Sequence, residues 1–271
     1  MLRVFITGAS SGLGAALAQE YARQGAQLGL LARRGDALKA LADSLPAGPS
    51  GTSPGAASHR LYTVDVNDSA ALAAAAEDFL SATSGIDIVI ANAGISHGTL
   101  TERKADLAVF SRIINTNVIA TVATFAPFID AMKQQSGSNH QMRLVGIASV
   151  AGIRGLPGAE AYSASKAAVI SYCESLRVEL RRYGIAVVTI APGYIDAPMT
   201  QINPYPMPFL LPADEFARRA VKVIAAGRSY AVIPWQMRGV SWLLRLLPNW
   251  LYDRLFANAP HKPAYREAGE P

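Results

Sequence analysis

Tyr162 and Lys166 stand four residues apart in the run Tyr162-Ser163-Ala164-Ser165-Lys166, a spacing that puts a phenol and an ammonium on one face of a helix. A phenol in water titrates near pH ~10, and a neighbouring positive charge favours its ionised form. A tyrosine tuned in this way can give a proton to a carbonyl oxygen, or take one from an alcohol, near neutral pH. Ser149, at the end of an apolar run, can hydrogen-bond the same oxygen. By itself the pair is common, because an aromatic ring packed under a lysine stem has the same spacing. Its meaning depends on what accompanies it.

A second constellation opens the chain. Thr7-Gly8-Ala9-Ser10-Ser11-Gly12-Leu13-Gly14 follows a short apolar run and precedes a helical pattern. Glycines in that setting let a backbone approach a pyrophosphate, whose charge the helix N-terminus stabilises. Many such sites end their second strand on an acid that binds the adenosine ribose. Here the strand ends Leu30-Leu31-Ala32-Arg33-Arg34. A carboxylate would repel a 2′-phosphate and a guanidinium would bind it, so the sequence favours NADP(H) over NAD(H), with Arg33 preferred to Arg34. A solvated charged turn is the plainer account of the two arginines. Asp65 is placed to accept from an adenine amino group, and Asn92-Ala93-Gly94 leads toward the adenosine, although all these residue types also suit ordinary turns.

The elements that must carry these groups alternate regularly. Strands are expected over 2–7, 27–32, 61–64, 86–91, 143–148, 186–190 and 230–233. Helices are expected over 12–24, 36–45, 69–81, 105–133, 161–183 and 213–226, with Asn67 or Asp68 capping the third. Nearly continuous apolar strands separated by amphipathic helices specify an α/β fold: a doubly wound parallel sheet of about seven strands, Rossmann-type, with helices on both faces. The expected organisation is a single catalytic domain over 1–235 and a C-terminal helical extension over 236–271. Residues 46–58, rich in Pro, Gly, Ser and Ala, read as a surface loop. Residues 194–212 hold five prolines among apolar side chains; a lid over a substrate and a loop packed on the core are both consistent with them.

Taken together, the chain resembles the short-chain dehydrogenase/reductase family over roughly its first 235 residues. The resemblance rests on Thr7-Gly8-x-x-x-Gly12-x-Gly14, Asp65, Asn92-Ala93-Gly94, Asn117, Ser149, Tyr162-x-x-x-Lys166 and Pro192-Gly193, in that order. It implies that Tyr162 is the acid/base, that Ser149 steadies the substrate oxygen, and that Lys166 binds the nicotinamide ribose and lowers the tyrosine pKa. Asn117 would hold a water linking Lys166 to solvent. Pro192, Gly193 and Ile195 would line the nicotinamide pocket, and Val66 would join Asp65 at the adenine. The implied activity interconverts a carbonyl and a secondary alcohol by hydride transfer, in a homodimer or homotetramer packed through the helices bearing Asn117 and Tyr162. Two departures stand out. Ala91 replaces a common asparagine, and Ala197 replaces a threonine that would contact the carboxamide. A non-catalytic NADP(H)-binding sensor or scaffold is the rival reading, and the intact Asn117, Ser149, Tyr162 and Lys166 argue against it.

Bulk properties narrow the classes further. Half of the residues are hydrophobic (51%) and only 17% are charged, so a sizeable core is available and a disordered chain is not expected. The single cysteine, Cys173, permits no internal disulfide framework and reads as a small buried residue in a reducing compartment. The N-terminal apolar run is too short for a signal peptide, so a cytoplasmic location is expected. The net charge of +5 is scattered, with no nucleic-acid motif, and His59, His97, His140 and His261 lack metal-ligand spacing. His97 reads as an exposed loop residue, with the border of a substrate pocket as the alternative. After Pro234, tryptophans and leucines mix with arginines and Pro248 divides them into two short helices. A pocket cover, a subunit contact and a membrane-surface segment are the open readings; each favours a lipophilic carbonyl or alcohol as the small-molecule substrate.

Overall fold

Alternation along the strands decides how the layers form. In β1 (Arg3–Thr7), Val4 and Ile6 point to one face and Phe5 to the other, as the two-residue period of a strand requires. The first face packs against α1 (Gly12–Arg23), α2 (Gly35–Ser44) and α8 (Ala213–Ala225), through Leu17, Tyr21, Leu38, Phe216 and Ile224. The second packs against α3 (Ser69–Thr83), α5 (Ala120–Gln134) and α6 (Glu160–Leu180), through Leu72, Phe79, Phe125, Phe128 and Val169. The computed structural model describes residues 1–46, 59–135 and 141–262. Most of the expected loop at 46–58, His140, and the extension beyond Lys262 lie outside these described residues.

Seven parallel strands form the sheet in the order β3 (Arg60–Thr63), β2 (Gln27–Ala32), β1, β4 (Ile88–Ala91), β5 (Arg143–Ile147), β6 (Ala186–Pro192) and β9 (Tyr230–Ile233). The chain runs outward from β1 to β3, returns, and proceeds to the other edge from β4. The order therefore reverses between β1 and β4, where an open α/β sheet leaves a crevice outside its carboxyl ends. The expected Rossmann-type fold is the one observed. Asp68 is the residue that caps α3, its Oδ1 accepting from Ala71 N at 3.0 Å.

The long helix expected over 105–133 differs in one respect. α4 (Asp106–Ile114) and α5 are joined by a π-helical turn, Asn115–Ile119. A π turn accommodates one extra residue and tends to occur at functional sites; apolar periodicity does not reveal it. By length and composition the continuous helix 106–134 could cross a membrane, but here Val109, Ile113, Phe125, Phe128 and Met132 are buried within the protein. Residues 194–212 contain a two-residue pairing of β7 (Ile195–Asp196) with β8 (Leu211–Pro212) and the single turn α7 (Pro198–Gln201). Ile202, Phe209 and Leu210 are exposed on this segment.

The extension forms α9 (Gln236–Leu246) and α10 (Asn249–Phe256), divided at Pro248 as its ring demands. It folds back on the loop after β5. Arg154 Nη1 donates to the carbonyls of Leu244 and Leu247 at 2.6 Å, which satisfies the end of α9, while its guanidinium lies 4.0 Å from the Tyr252 ring centroid. Arg245 Nη1 donates to Ile153 O at 3.1 Å.

Candidate active site

The glycine-rich turn is shaped by close approach. Gly8 (φ +67°) and Gly12 (φ +56°) occupy left-handed conformations that favour glycine. A Cβ on Gly8 would come within 2.8 Å of Ala93 Cα, so the turn rests directly on the segment after β4. Asn92 fastens the two: Nδ2 donates to Thr7 O at 3.0 Å and Gly8 O at 3.2 Å. Gly14 lies one layer behind, where a Cβ would be 2.2 Å from Gly8 O. It packs helix against turn and does not line the cleft wall.

At the end of β2 the arginines divide. Arg34 Nη2 donates to Ser11 Oγ at 2.8 Å and Ser10 Oγ at 3.2 Å. Arg33 points to Asp65, with Nη1 3.9 Å from Oδ2 and both side chains well exposed. The preference for Arg33 drawn from sequence is thus not reflected in reach toward the glycine turn, because Arg34 is the one that meets it. Asp65 Oδ1 accepts from Asn67 N and Nδ2, both at 2.9 Å. Asp65 therefore serves its own turn as well as facing the cleft.

The catalytic candidates converge from two elements. Ser149 follows β5 in extended conformation and accepts from Ala151 N at 3.1 Å, capping the 3-10 turn Val150–Gly152. Tyr162 and Lys166 lie on the first turns of α6. The Tyr162 phenol is raised above its ordinary pKa by burial and drawn back by the polar Ser149 side chain. Lys166 Nζ donates to Ile147 O at 2.8 Å and stands 5.8 Å from the Tyr162 ring centroid. Burial lowers its pKa to about 8. Asn117, fully buried on the π turn, accepts from Ile95 N at 2.8 Å and donates to Ile95 O at 3.0 Å and Ser165 Oγ at 2.9 Å. Its side chain ties the segment after Gly94 to the catalytic helix. Cys173 is buried with its thiol pushed up to about 11, in keeping with a packing residue.

Except for Gly14 and Asn117, all the residues assigned to the site from sequence line one cleft of about 300 Å³. Ser10, Ser11 and Leu13 border one end, Val66 and Gly94 the wall, and Pro192, Gly193 and Ile195 the tyrosine end. Sequence reasoning missed Thr116, which also lines it, as do Met199 and Thr200 from the segment 194–212, one candidate for a lid. Thr200 bears on the departure at Ala197: Thr200 Oγ1 accepts from Ala197 N at 3.2 Å and donates to Ala197 O at 2.9 Å. A hydroxyl thus stands at that edge three residues later than expected. Gly193 is closed behind by Met237 of α9, 2.6 Å from where a Cβ would be. His97 is half-buried rather than exposed, its pKa lowered by burial and by Lys262 and Arg112.

A family profile described as short chain dehydrogenase matches residues 3–204. The chain belongs to that family. An uncharacterized oxidoreductase of Myxococcus xanthus is 36% identical to this short-chain dehydrogenase over 92% of the chain and 93% of the relative. The 11-beta-hydroxysteroid dehydrogenase-like 4A of Arabidopsis thaliana is 31% identical over 93% of the chain and 82% of the relative. Among solved structures, a 3-ketoacyl-(acyl-carrier-protein) reductase from Brucella melitensis complexed with NADH superposes with a TM-score of 0.74, at 25% identity, covering 85% of this chain and 94% of that one. This short-chain dehydrogenase is accordingly an oxidoreductase with a nucleotide-binding Rossmann fold. Its residues fit a nicotinamide dinucleotide: a turn without side chains at Gly8 and Gly12, hydroxyls and guanidinium at one end, and a buried ammonium beside a phenol at the other.

Proposed function

We propose that this short-chain dehydrogenase interconverts a carbonyl and a secondary alcohol with NADP(H), using Tyr162 as the acid/base. The observation that carries the reading is that Ser149, Tyr162, Lys166 and the glycine turn all line one cleft. When bound, the nicotinamide supplies or accepts the hydride. Tyr162 gives its phenolic proton to the substrate oxygen in reduction and recovers one in oxidation. Ser149 donates a hydrogen bond to that oxygen as its charge develops. Lys166 would exchange its contact with Ile147 O for the nicotinamide ribose hydroxyls and favour the phenolate. A water relay to Lys166 would pass the π turn that carries Asn117.

NADP(H) is favoured because Arg33 and Arg34 both border the end of the cleft where a ribose 2′-phosphate would sit, with no acid at the end of β2. Met199 lines the cleft, and Ile202 and Phe209 are exposed apolar residues on the same segment, which supports a lipophilic substrate. Leu107, Ile119 and Val122 on the long helix and Val178 on α6 are exposed apolar residues, and they fit a homodimer or homotetramer packed through those helices. The outward side of α9 and α10 exposes Trp242, Leu243, Leu246 and Trp250 beside Arg238 and Arg245, a composition suited to a bilayer interface. The direct test follows NADPH consumption over a panel of aldehydes, ketones and lipid carbonyls, with Tyr162→Phe and NADH alongside. Turnover that needs Tyr162 supports the reading. Cofactor binding without turnover on any carbonyl would favour the non-catalytic sensor instead.

A further inference from the structure

Lys262, near the end of the chain, reaches the reacting tyrosine. Its Nζ donates to Ser96 Oγ at 2.7 Å and lies 5.4 Å from the Tyr162 ring centroid. The adjacent His261 packs on Gly158, where a Cβ would meet its ring at 2.6 Å. Gly158 O accepts in turn from Thr99 N at 3.3 Å. His261 and Lys262 are thus seated between the segment after β4 and the entry to α6. Two ammonium groups, Lys262 and Lys166, therefore border one phenol, at 5.4 and 5.8 Å from its ring centroid.

Lys166 has work in that position, since a nicotinamide ribose is its expected partner. Lys262 has none. An ammonium carries three donors, and the Ser96 hydroxyl, itself buried (4% exposed), takes one. Among the described residues no carboxylate forms a salt bridge with Lys262. The same locality lowers the His97 pKa through the charges of Lys262 and Arg112. A cation held by one neutral hydroxyl among the described residues is costly to bury unless an anion joins it. Ser96 continues the segment Gly94-Ile95, which lines the cleft, so such an anion would adjoin the reacting carbon.

We propose that Lys262 is a specificity-determining residue that binds a substrate carboxylate, making the substrate an oxo acid or hydroxy acid whose carboxylate lies within a few bonds of the carbon that reacts. The inference rests on the reductase reading and adds to it. The apolar remainder of such a molecule would lie toward Met199, which lines the cleft.

Matched pairs test it. The full-length protein with NADPH is assayed on 3-oxooctanoate and 5-oxohexanoate and on the methyl ester of each, which keeps the shape and removes the charge. The wild type is expected to prefer the acids. Lys262→Met should lower kcat/KM on the acids by about 10- to 100-fold, the scale of one lost charge-assisted hydrogen bond, and on the esters far less. Lys262→Arg should recover part of the loss. A wild type that prefers the esters, or equal losses on acid and ester in Lys262→Met, would overturn the proposal. Calorimetric titration of each variant with 3-oxooctanoate supplies a readout free of turnover. If neither acid nor ester is reduced, nor any carbonyl of the wider panel, the reductase reading fails. Acid binding that disappears in Lys262→Met would then still support this site, and absence of binding in the wild type would overturn it.

Discussion

Arg34 Nη2 donates to Ser11 Oγ at 2.8 Å, which joins the end of β2 to the glycine-rich turn. The guanidinium is held at the turn before any phosphate arrives, so little side-chain freedom remains to be lost on binding. Replacing Arg34 with alanine should raise KM for NADPH about 10-fold or more, the scale of a charge-assisted hydrogen bond, and leave NADH kinetics almost unchanged. Steady-state kinetics with both cofactors checks this. An equal rise for both would assign Arg34 to the shape of the turn instead of to a 2′-phosphate.

Tyr162→Phe keeps the ring and removes only the proton it exchanges. Turnover in either direction is expected to fall by about 10²- to 10⁴-fold, as for loss of a positioned acid/base. Binding of NADPH, followed by fluorescence, should survive. Activity within a few-fold of wild type would displace Tyr162 from its role.

Stability of the cofactor-free protein should rise from about pH 8 toward pH 10. Lys166 and Lys262 each titrate near 8 in the folded chain, lowered by burial from 10.5. Between those values the unfolded chain holds protons that the folded one has released, so unfolding becomes less favourable as pH increases. For Lys166, which is 5% exposed, the depression corresponds to about 3 kcal/mol. Urea titrations across this range should show the rise, reduced in Lys166→Met. Above about pH 10 the trend should reverse, because burial holds Tyr172 near 12 and keeps it protonated in the folded state.

Asp87 anchors the start of the sheet. Its Oδ1 is 2.7 Å from Arg3 Nη2, and Oδ2 accepts from Arg3 N at 2.8 Å. With the carboxylate almost fully buried, Asp87→Ala should destabilise the chain by about 3–5 kcal/mol, read as a lower urea midpoint with an unchanged slope.

The outward tryptophans of α9 and α10 make a claim about surfaces. Wild-type protein should sediment with anionic phospholipid vesicles, more weakly as salt is added. The Trp242→Ser, Trp250→Ser double variant should stay in the supernatant. Retained sedimentation would remove the membrane assignment from this face.

The sheet was legible in sequence because its strands are apolar and bounded by glycine, proline or capping residues; β2 lies where its residues predict. The Tyr162–Lys166 pair was legible because helix geometry relates residues four apart. Contacts made across the fold were not. Lys262 meets Ser96 across 166 residues, and no periodicity ties them. The engagement of Arg34, rather than Arg33, with the turn depends on how the chain leaves β2, which a pair of adjacent arginines does not specify. The hydroxyl of Thr200 was hidden because its loop is bent back on Ala197.

The π turn at Asn115–Ile119 has a consequence for how the long helix could change. One residue in an α-helix advances the side chains by ~100°, so the turn offsets the phase of the segment that follows it from that of the segment before it. The amino-terminal half is clocked to α6 and the carboxyl-terminal half to α3. Deleting one residue within the turn would restore uniform winding and swing one half out of phase with its neighbours. Asn117 would lose Ile95 or Ser165, or the core would lose Phe125 and Phe128. The turn thus sets the angular offset by which one continuous helix meets the catalytic helix at one end and the core at the other.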